Sequence, residues 1–258
     1  YMPTGVDGPV PGVVMAGGWC YVKELVLPHY ATTIAERGIA VLAFDYRTFG
    51  DSDGEPRLHI DPWAQIEDYR NGLAYMEDLA EVDASRLGVW GISYSGGHVL
   101  ILGALDNRIK AIVSTIPVVD GDINMRRAHG EEIATAAFST WPFADSLEAF
   151  DKLKEGGAYN FENYSTLESV EMMLAYTVFP YVKRITKIPT MMVLTENDHK
   201  TLVDLEIEAF NQIASPTKEC AILPSLSHTS LYVDERPTKT AAAPAARWFE
   251  TYLVRRDG

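Results

Sequence analysis

The stretch Arg86-Leu87-Gly88-Val89-Trp90-Gly91-Ile92-Ser93-Tyr94-Ser95-Gly96-Gly97-His98 constrains this chain more than any other. It reads as a short apolar strand, a serine between small residues, and a helix that opens with glycines. A sharp strand-to-helix turn lifts a serine oxygen clear of the backbone by holding the residue in a strained conformation. Such a turn accepts only small residues two positions before and after, and Gly91 and Ser95 meet that condition around Ser93. The helix that follows adds its positive end beneath a developing oxyanion. Ser95 is a second candidate, because Ser93 and Gly97 flank it at the same spacing. The strand pattern Leu87-Gly88-Val89-Trp90 ends at Gly91 and favours Ser93.

Strand and helix alternate on both sides of this turn. Val10 to Met15 is an apolar strand running into Ala16-Gly17-Gly18-Trp19-Cys20, and Lys23 to Arg37 has helical spacing closed by Gly38. Ile39 to Phe44 is a continuous apolar run, the pattern of a strand buried on both faces. Asp61-Pro62 predicts a helix start, with Trp63, Ile66, Tyr69, Leu73 and Met76 on its apolar face. Ile109 to Ile116 is a further strand. From Val118 to Lys187 the alternation breaks into helix-like pieces rich in aromatics, then resumes with Thr190–Thr195, Leu202–Ile213, Glu219–Leu223 and Ala241–Leu253. The fold class expected is α/β, a mostly parallel sheet with helices on both faces. The core divides into 1–117 and 188–258, and 118–187 forms a helical lid insertion.

Composition narrows the partners. With 47% hydrophobic and 22% charged residues the chain suits an ordinary globular fold, and no apolar run reaches the roughly 18 residues of a membrane span. A net charge of −14 argues against nucleic acid and anionic membrane as partners. Two cysteines, Cys20 and Cys220, form neither a disulfide framework nor a metal-ligand pattern, which predicts a reducing, cytoplasmic setting. No signal-peptide pattern is present. A homodimer stays open.

Open parallel sheets carry their ligands at the carboxyl ends of the strands. The first strand delivers Gly17-Gly18-Trp19, and the nucleophile strand delivers Ser93 with the backbone N–H of Tyr94. Later strands deliver Glu196-Asn197-Asp198 and Pro224-Ser225-Leu226-Ser227-His228. A serine hydroxyl attacks a carbonyl only if a neutral imidazole takes its proton, and the imidazole needs a carboxylate to fix its tautomer. Ser93, Asp198 and His228 supply these groups in the order Ser…Asp…His, and the N–H groups of Trp19 and Tyr94 supply an oxyanion hole. Glu196 is the alternative acid, but it abuts its strand. His199 is read as a surface residue, His98 as packing behind the serine, and Cys20 as a small buried residue lining the pocket. His29, His59 and His129 have no supporting context. Asp45 and Arg47 are read as pinning their loop by salt bridges. Among the aromatics, Trp19, Trp141 and Phe179 are the candidates for an apolar substrate pocket.

These motifs resemble the alpha/beta-hydrolase superfamily. The matching residues are Gly17-Gly18-Trp19, Phe44-Asp-Tyr-Arg-Thr-Phe-Gly-Asp-Ser-Asp-Gly54, Gly91-Ile-Ser-Tyr-Ser95, Glu196-Asn-Asp198 and Ser227-His228. Trp19 with Lys23-Glu24, and Ser95-Gly-Gly-His-Val-Leu100, are similar to a subgroup of dienelactone-hydrolase-like and X-Pro-peptidase-like proteins that includes fungal polyketide transferases and hydrolases. The resemblance implies a Ser-His-Asp esterase-type mechanism without metal or organic cofactor. The substrate expected is a small ester or thioester with an apolar acyl or ring group. Acyl transfer through the same triad is the alternative, with a peptidase or a non-catalytic receptor behind it. Many relatives have His-Gly where Gly17-Gly18 stands, and Gly where Thr48 stands. The dienelactone hydrolases use Cys where Ser93 stands, and the family's first two strands are largely missing before Val10.

Overall fold

A computed structural model describes residues 1–129, 151, 154 and 160–255. Six strands form one parallel sheet: β1 (Val10–Ala16), β2 (Ala40–Phe44), β3 (Val82–Ile92), β4 (Ile109–Thr115), β5 (Thr190–Thr195) and β6 (Lys218–Leu223). Their order is β2-β1-β3-β4-β5-β6. Every residue of β1 and β5 is buried, as parallel strands covered on both faces require. The helices α1 (Leu27–Ala35) and Glu235–Phe249 pack together on one face, while α2 (Pro62–Glu77) and α3 (Tyr94–Leu105) cover the other.

The chain winds outward from β1 to β2 and then crosses back to β3 on the other side of β1. Segments leaving β1 and β3 therefore diverge and open a crevice at the carboxyl ends of those strands. Ala16 pairs with Gly91, and Ile92 pairs with Thr115, so the turn after β1 and the turn after β3 emerge side by side. Topology alone thus places Gly17–Trp19 against Ser93.

Several local expectations shift. The first helix begins at Leu27, not Lys23, because the Lys23 N–H is held by Asp45 Oδ1 at 2.6 Å and Val26 turns to φ 55°. β2 is an edge strand of the described sheet, and Leu42 to Phe44 are only half-buried. Ile66, Tyr69, Leu73 and Met76 face the core from α2, but Trp63 stays 52% exposed against Tyr181. The last helix starts at Glu235, not Ala241, since Pro237 in its first turn gives up no intrahelical bond. The helix ends in a π turn over Glu250–Val254.

Within 118–187 the described helices are α4 (Gly121–His129), Leu167–Leu174 and Phe179–Val182. The excursion leaves and returns through a narrow neck. Asp120 and Thr177 form an antiparallel bridge, the Gly121 N–H reaches Tyr176 O at 2.8 Å, and the Val178 N–H reaches Val119 O at 2.9 Å.

The start of α2 offers a direct test of local stability. Asp61 Oδ1 accepts from the N–H groups of Trp63 and Ala64 at 2.8 and 3.2 Å, and Pro62 follows. Asp61→Ala is expected to cost about 1 kcal/mol in urea denaturation at an unchanged m-value, while Asp61→Asn retains most of the stability.

Candidate active site

Ser93 lies between β3 and α3 with φ 58° and ψ −117°, a region side-chain-bearing residues rarely occupy. Three backbone bonds hold it there. Its N–H reaches Thr115 O at 2.9 Å, and its carbonyl accepts from Val118 N–H at 3.0 Å and Gly97 N–H at 3.3 Å. A Cβ on Gly91 would stand 2.2 Å from the Ser95 carbonyl oxygen, so the turn closes only with glycine there. Ser95 does not compete for the exposed position. Its Oγ accepts from Ile92 N–H at 2.7 Å and donates to Ala16 O at 2.9 Å, tying α3 to the end of β1.

The turn after β1 presses directly on this serine. A Cβ on Gly18 would come 2.8 Å from Ser93 Cβ and 3.3 Å from its Oγ. Trp19 takes φ 33°, and its ring packs edge-on to Tyr94 at 4.9 Å. Tyr94 is the first residue of α3, so its N–H belongs to the helix end that has no intrahelical acceptor. The two residues chosen for their N–H groups are therefore locked to each other through their side chains.

Asp198 and His228 meet beyond β5 and β6. Asp198 Oδ2 bonds His228 Nδ1 at 2.8 Å, and both residues are almost fully buried. The other oxygen, Oδ1, accepts from the N–H groups of Lys200 and Thr201 at 2.9 and 2.8 Å. Burial raises the Asp198 carboxyl, but the His228 imidazole and the Thr201 donors outweigh it and leave the group below its ordinary range. A carboxylate so held fixes the Nδ1–H tautomer and leaves Nε2 as the basic nitrogen. Glu196 instead accepts from Ser225 N–H at 2.8 Å, and it is exposed together with His199.

A polar joint lies under α3. His98 Nδ1 pairs with the Tyr176 hydroxyl at 3.0 Å and Nε2 with Gln65 Oε1 at 2.9 Å. Burial pushes the imidazole down to about 3, so His98 is neutral, donating to Gln65 and accepting from Tyr176. Cys20 is buried in the turn after β1. His29 is exposed, and His59 bonds Thr166 Oγ1 at 2.9 Å. Asp45 and Arg47 do anchor their loop, through Lys23 and Asp68 respectively. Thr48 in that loop takes φ 71°, a left-handed conformation that glycine adopts more readily. Glu24, Asp45 and Asp51 converge on Lys23 Nζ at 3.0, 2.7 and 2.6 Å, so the chain's own ammonium already occupies the centre of the cluster. Phe179 is half-buried at the start of Phe179–Val182, which packs on α3. Trp141 and the His129 side chain lie outside the described residues.

Sequence reasoning missed two buried groups beside the site. Glu206, in the first turn of the helix Val203–Gln212, is fully buried close to Asp198 and Thr201. Tyr232 follows His228 in the short helix Ser230–Val233, with its ring 5.6 Å from the imidazole. Neither has a local signal: Glu206 sits in an acidic helix start, and Tyr232 reads as one more core aromatic.

Residues 10–243 match the model of the alpha/beta hydrolase family. The quorum-quenching protein AidA of Acinetobacter baumannii is 41% identical over 121 residues, 47% of this chain and 40% of that protein. A thiohydrolase of Eupenicillium brefeldianum is 29% identical, covering 80% of this chain and 75% of its own length. A polyketide transferase of Aspergillus fumigatus is 28% identical, covering 84% and 82%. Among solved structures, the alpha/beta hydrolase GrgF from Penicillium sp. sh18 superposes with a TM-score of 0.81 at 21% identity, covering 97% of this chain and 92% of that one. No helix among the described residues is long and apolar enough to cross a membrane.

Burial holds the Glu206 carboxyl well above its ordinary range, and the Asp198 charge adds to this. The folded state therefore keeps a proton that the unfolded state has lost, and stability falls as pH rises above the ordinary carboxylate range. Glu206→Gln should melt higher than the wild type at pH 8, with the difference shrinking towards pH 5. Equal differences at both pH values would contradict a neutral Glu206.

Proposed function

The chain belongs to the alpha/beta hydrolase family and is an enzyme of the hydrolase type, and from that premise we propose that it cleaves a carboxylic ester or thioester bearing an apolar acyl or ring group. The observation that carries this reading is the buried Asp198–His228 bond at 2.8 Å beside a serine held in a strained turn. Ser93 Oγ attacks the carbonyl carbon while His228 Nε2 takes its proton. The carbonyl oxygen, gaining charge, is met by the N–H groups of Trp19 and Tyr94. Collapse expels the alcohol or thiol, which takes the proton from His228 and leaves an acyl group on Ser93. Water, activated by the same imidazole, then releases the acid. Asp198 holds the tautomer and stabilises the imidazolium. The thiohydrolase relative supports a thioester among the substrates, and Cys20 and Cys220, not joined in a disulfide, suit a reducing, cytoplasmic setting.

Acyl transfer is the second reading, favoured by similarity to the polyketide transferase over most of both chains. The two outcomes share the acyl-Ser93 and differ in what reaches it. We assign that choice to a lid spanning 118–187, whose aromatics would shield the ester from water and hold an apolar alcohol instead.

A fluorophosphonate should label the protein once, on Ser93, by peptide mapping. Ser93→Ala should fold normally and lose about 10⁴–10⁶-fold in ester turnover. His228→Ala and Asp198→Asn should each slow acylation, and the double variant should be little worse than His228→Ala, since the residues act as a unit. The rate should rise with pH, because only the neutral imidazole accepts the serine proton. A label on Ser95 with Ser93 untouched would sink the assignment.

Replacing insertion aromatics such as Trp141 or Phe179 with Ala should change selectivity among bulky acyl groups by about 1–3 kcal/mol, roughly 10- to 200-fold in kcat/KM. A small acetate ester should shift far less. Equal shifts for both esters would identify 118–187 as a packing layer.

A further inference from the structure

Tyr232 is one of several buried polar groups at the site, among the described residues, to which the steps above give no task. Tyr232 is 5% exposed, and its ring is wedged between the His228 ring at 5.6 Å and the Tyr21 ring at 4.8 Å. Tyr21 follows two residues after Trp19, so Tyr232 fills the space between the histidine loop and the oxyanion turn. Its hydroxyl lies close to Ser93, a residue 1% exposed. Among the described residues neither hydroxyl completes a hydrogen bond of normal geometry, although both are buried. A buried phenol without an acceptor is costly unless a partner arrives during function.

We propose that Tyr232 is a further catalytic residue, donating a side-chain hydrogen bond to the oxygen that gains charge when a carbonyl carbon bonds to Ser93 Oγ. The inference rests on Ser93 as the nucleophile. When the carbon bonds to Ser93 Oγ, its former carbonyl oxygen lies within one bond of the reacting carbon, on a site lined by Trp19, Tyr94 and Tyr232. The first two offer backbone N–H groups. The third offers an O–H from a residue that the histidine loop itself positions, so assembling His228 also sets the third donor.

Tyr232 supplies no proton in the step. The serine proton goes to His228 Nε2, the carbonyl electron pair moves onto oxygen, and the leaving group takes the proton back from His228. Tyr232 keeps its own proton throughout. Burial, and then the neighbouring Tyr21, push the phenol well above its ordinary range, while the Ser93 hydroxyl pulls the other way. The net rise keeps it a donor at any working pH.

The contribution exists only while the oxygen carries charge, so it should appear in kcat and not in KM. Tyr232→Phe keeps the ring that packs on His228 and Tyr21 and removes only the hydroxyl. It should lower kcat/KM for an ester by about 10- to 100-fold, with KM within two-fold and a melting temperature equal to or above that of the wild type. Affinity for phenylboronic acid, which forms a tetrahedral adduct on the serine, should fall by a similar factor. If the ring substitution lowers the melting temperature, 3,5-difluorotyrosine at position 232 replaces it. That ring ionises at lower pH, so turnover should fall in alkaline solution where the wild type keeps its rate. A Tyr232→Phe protein with wild-type kcat/KM, boronate affinity and fluorophosphonate rate overturns the role of Tyr232 alone. A wild type that takes no fluorophosphonate on Ser93 overturns the nucleophile and Tyr232 with it.

Discussion

The contact on which the rest depends is the one between Gly91 and the backbone of Ser95. With 2.2 Å between a notional Cβ and the Ser95 carbonyl oxygen, no side chain fits. That closeness lets β3 turn into α3 within a single residue, and the single residue is Ser93. A conformation of this kind costs about 1–3 kcal/mol and survives only where its surroundings over-determine it. Thr115 and Val118 bond Ser93 from the strand edge, and Ser95 pins the first turn of α3 to Ala16. The bonds to Ser93 itself come from Thr115 at the end of β4, Val118 just past it and Gly97 in α3, while β1 acts two residues on, through Ser95. The sheet itself is what keeps the turn strained.

From that anchor the remaining geometry follows by neighbourhood. Ala16 lies beside Gly91, so the turn after β1 has to pass over Ser93, and Gly18 is the residue that passes. His228 stands beyond β6, two strands past β4, at the end of the loop 224–228, and is held by a carboxylate that is itself held by Lys200 and Thr201 N–H groups. Each of these groups has its orientation set by backbone donors or acceptors, so the site is rigid before any ligand arrives. Glu206 departs from this pattern. It carries a fully buried carboxyl without a countercharge, next to the Asp198 carboxylate, and burial first and that charge second hold it neutral.

Much of this was legible in the residue pattern, for physical reasons. Strands buried on both faces give unbroken apolar runs, so β1, β4 and β5 could be placed within a residue or two. A sharp strand-to-helix turn needs small residues at fixed offsets; that spacing fits both Ser93 and Ser95, and the end of the apolar run at Gly91 is what favours Ser93. What stayed hidden depends on long-range partners. Lys23 reads as helical until Asp45, 22 residues later, takes its N–H. Trp63 has core periodicity, but the surface above it offers only Tyr181. Ile39 to Phe44 is as apolar as a central strand, and no local pattern marks it as an edge. Glu206 stands between Asp204 and Glu208 in sequence, and only the helix's orientation separates the buried acid from the exposed ones. Gln65, His98 and Tyr176 come from three distant segments, and their joint cannot be read from any one of them.

That joint bears on how the two halves of the fold communicate. Residues 119–121 and 176–178 close the neck through which the chain leaves and rejoins the core. Tyr176, at the returning side, inserts its hydroxyl where a Cβ on Gly97 would come within 2.4 Å of it, and bonds His98. The Tyr94 ring stacks on both His98 and Tyr176, at 4.6 and 4.8 Å, and on Trp19 at 4.9 Å. One uninterrupted set of contacts therefore runs from the neck, through the first two turns of α3, to the turn over Ser93. Interiors of this density shift between discrete arrangements and do not deform smoothly. A displacement of Tyr176 large enough to break its bond to His98 would leave a neutral imidazole unpaired in the core. The segments 119–121 and 176–178 are thus tied to the helix that carries Ser93 by the cost of leaving that His98 nitrogen unpaired.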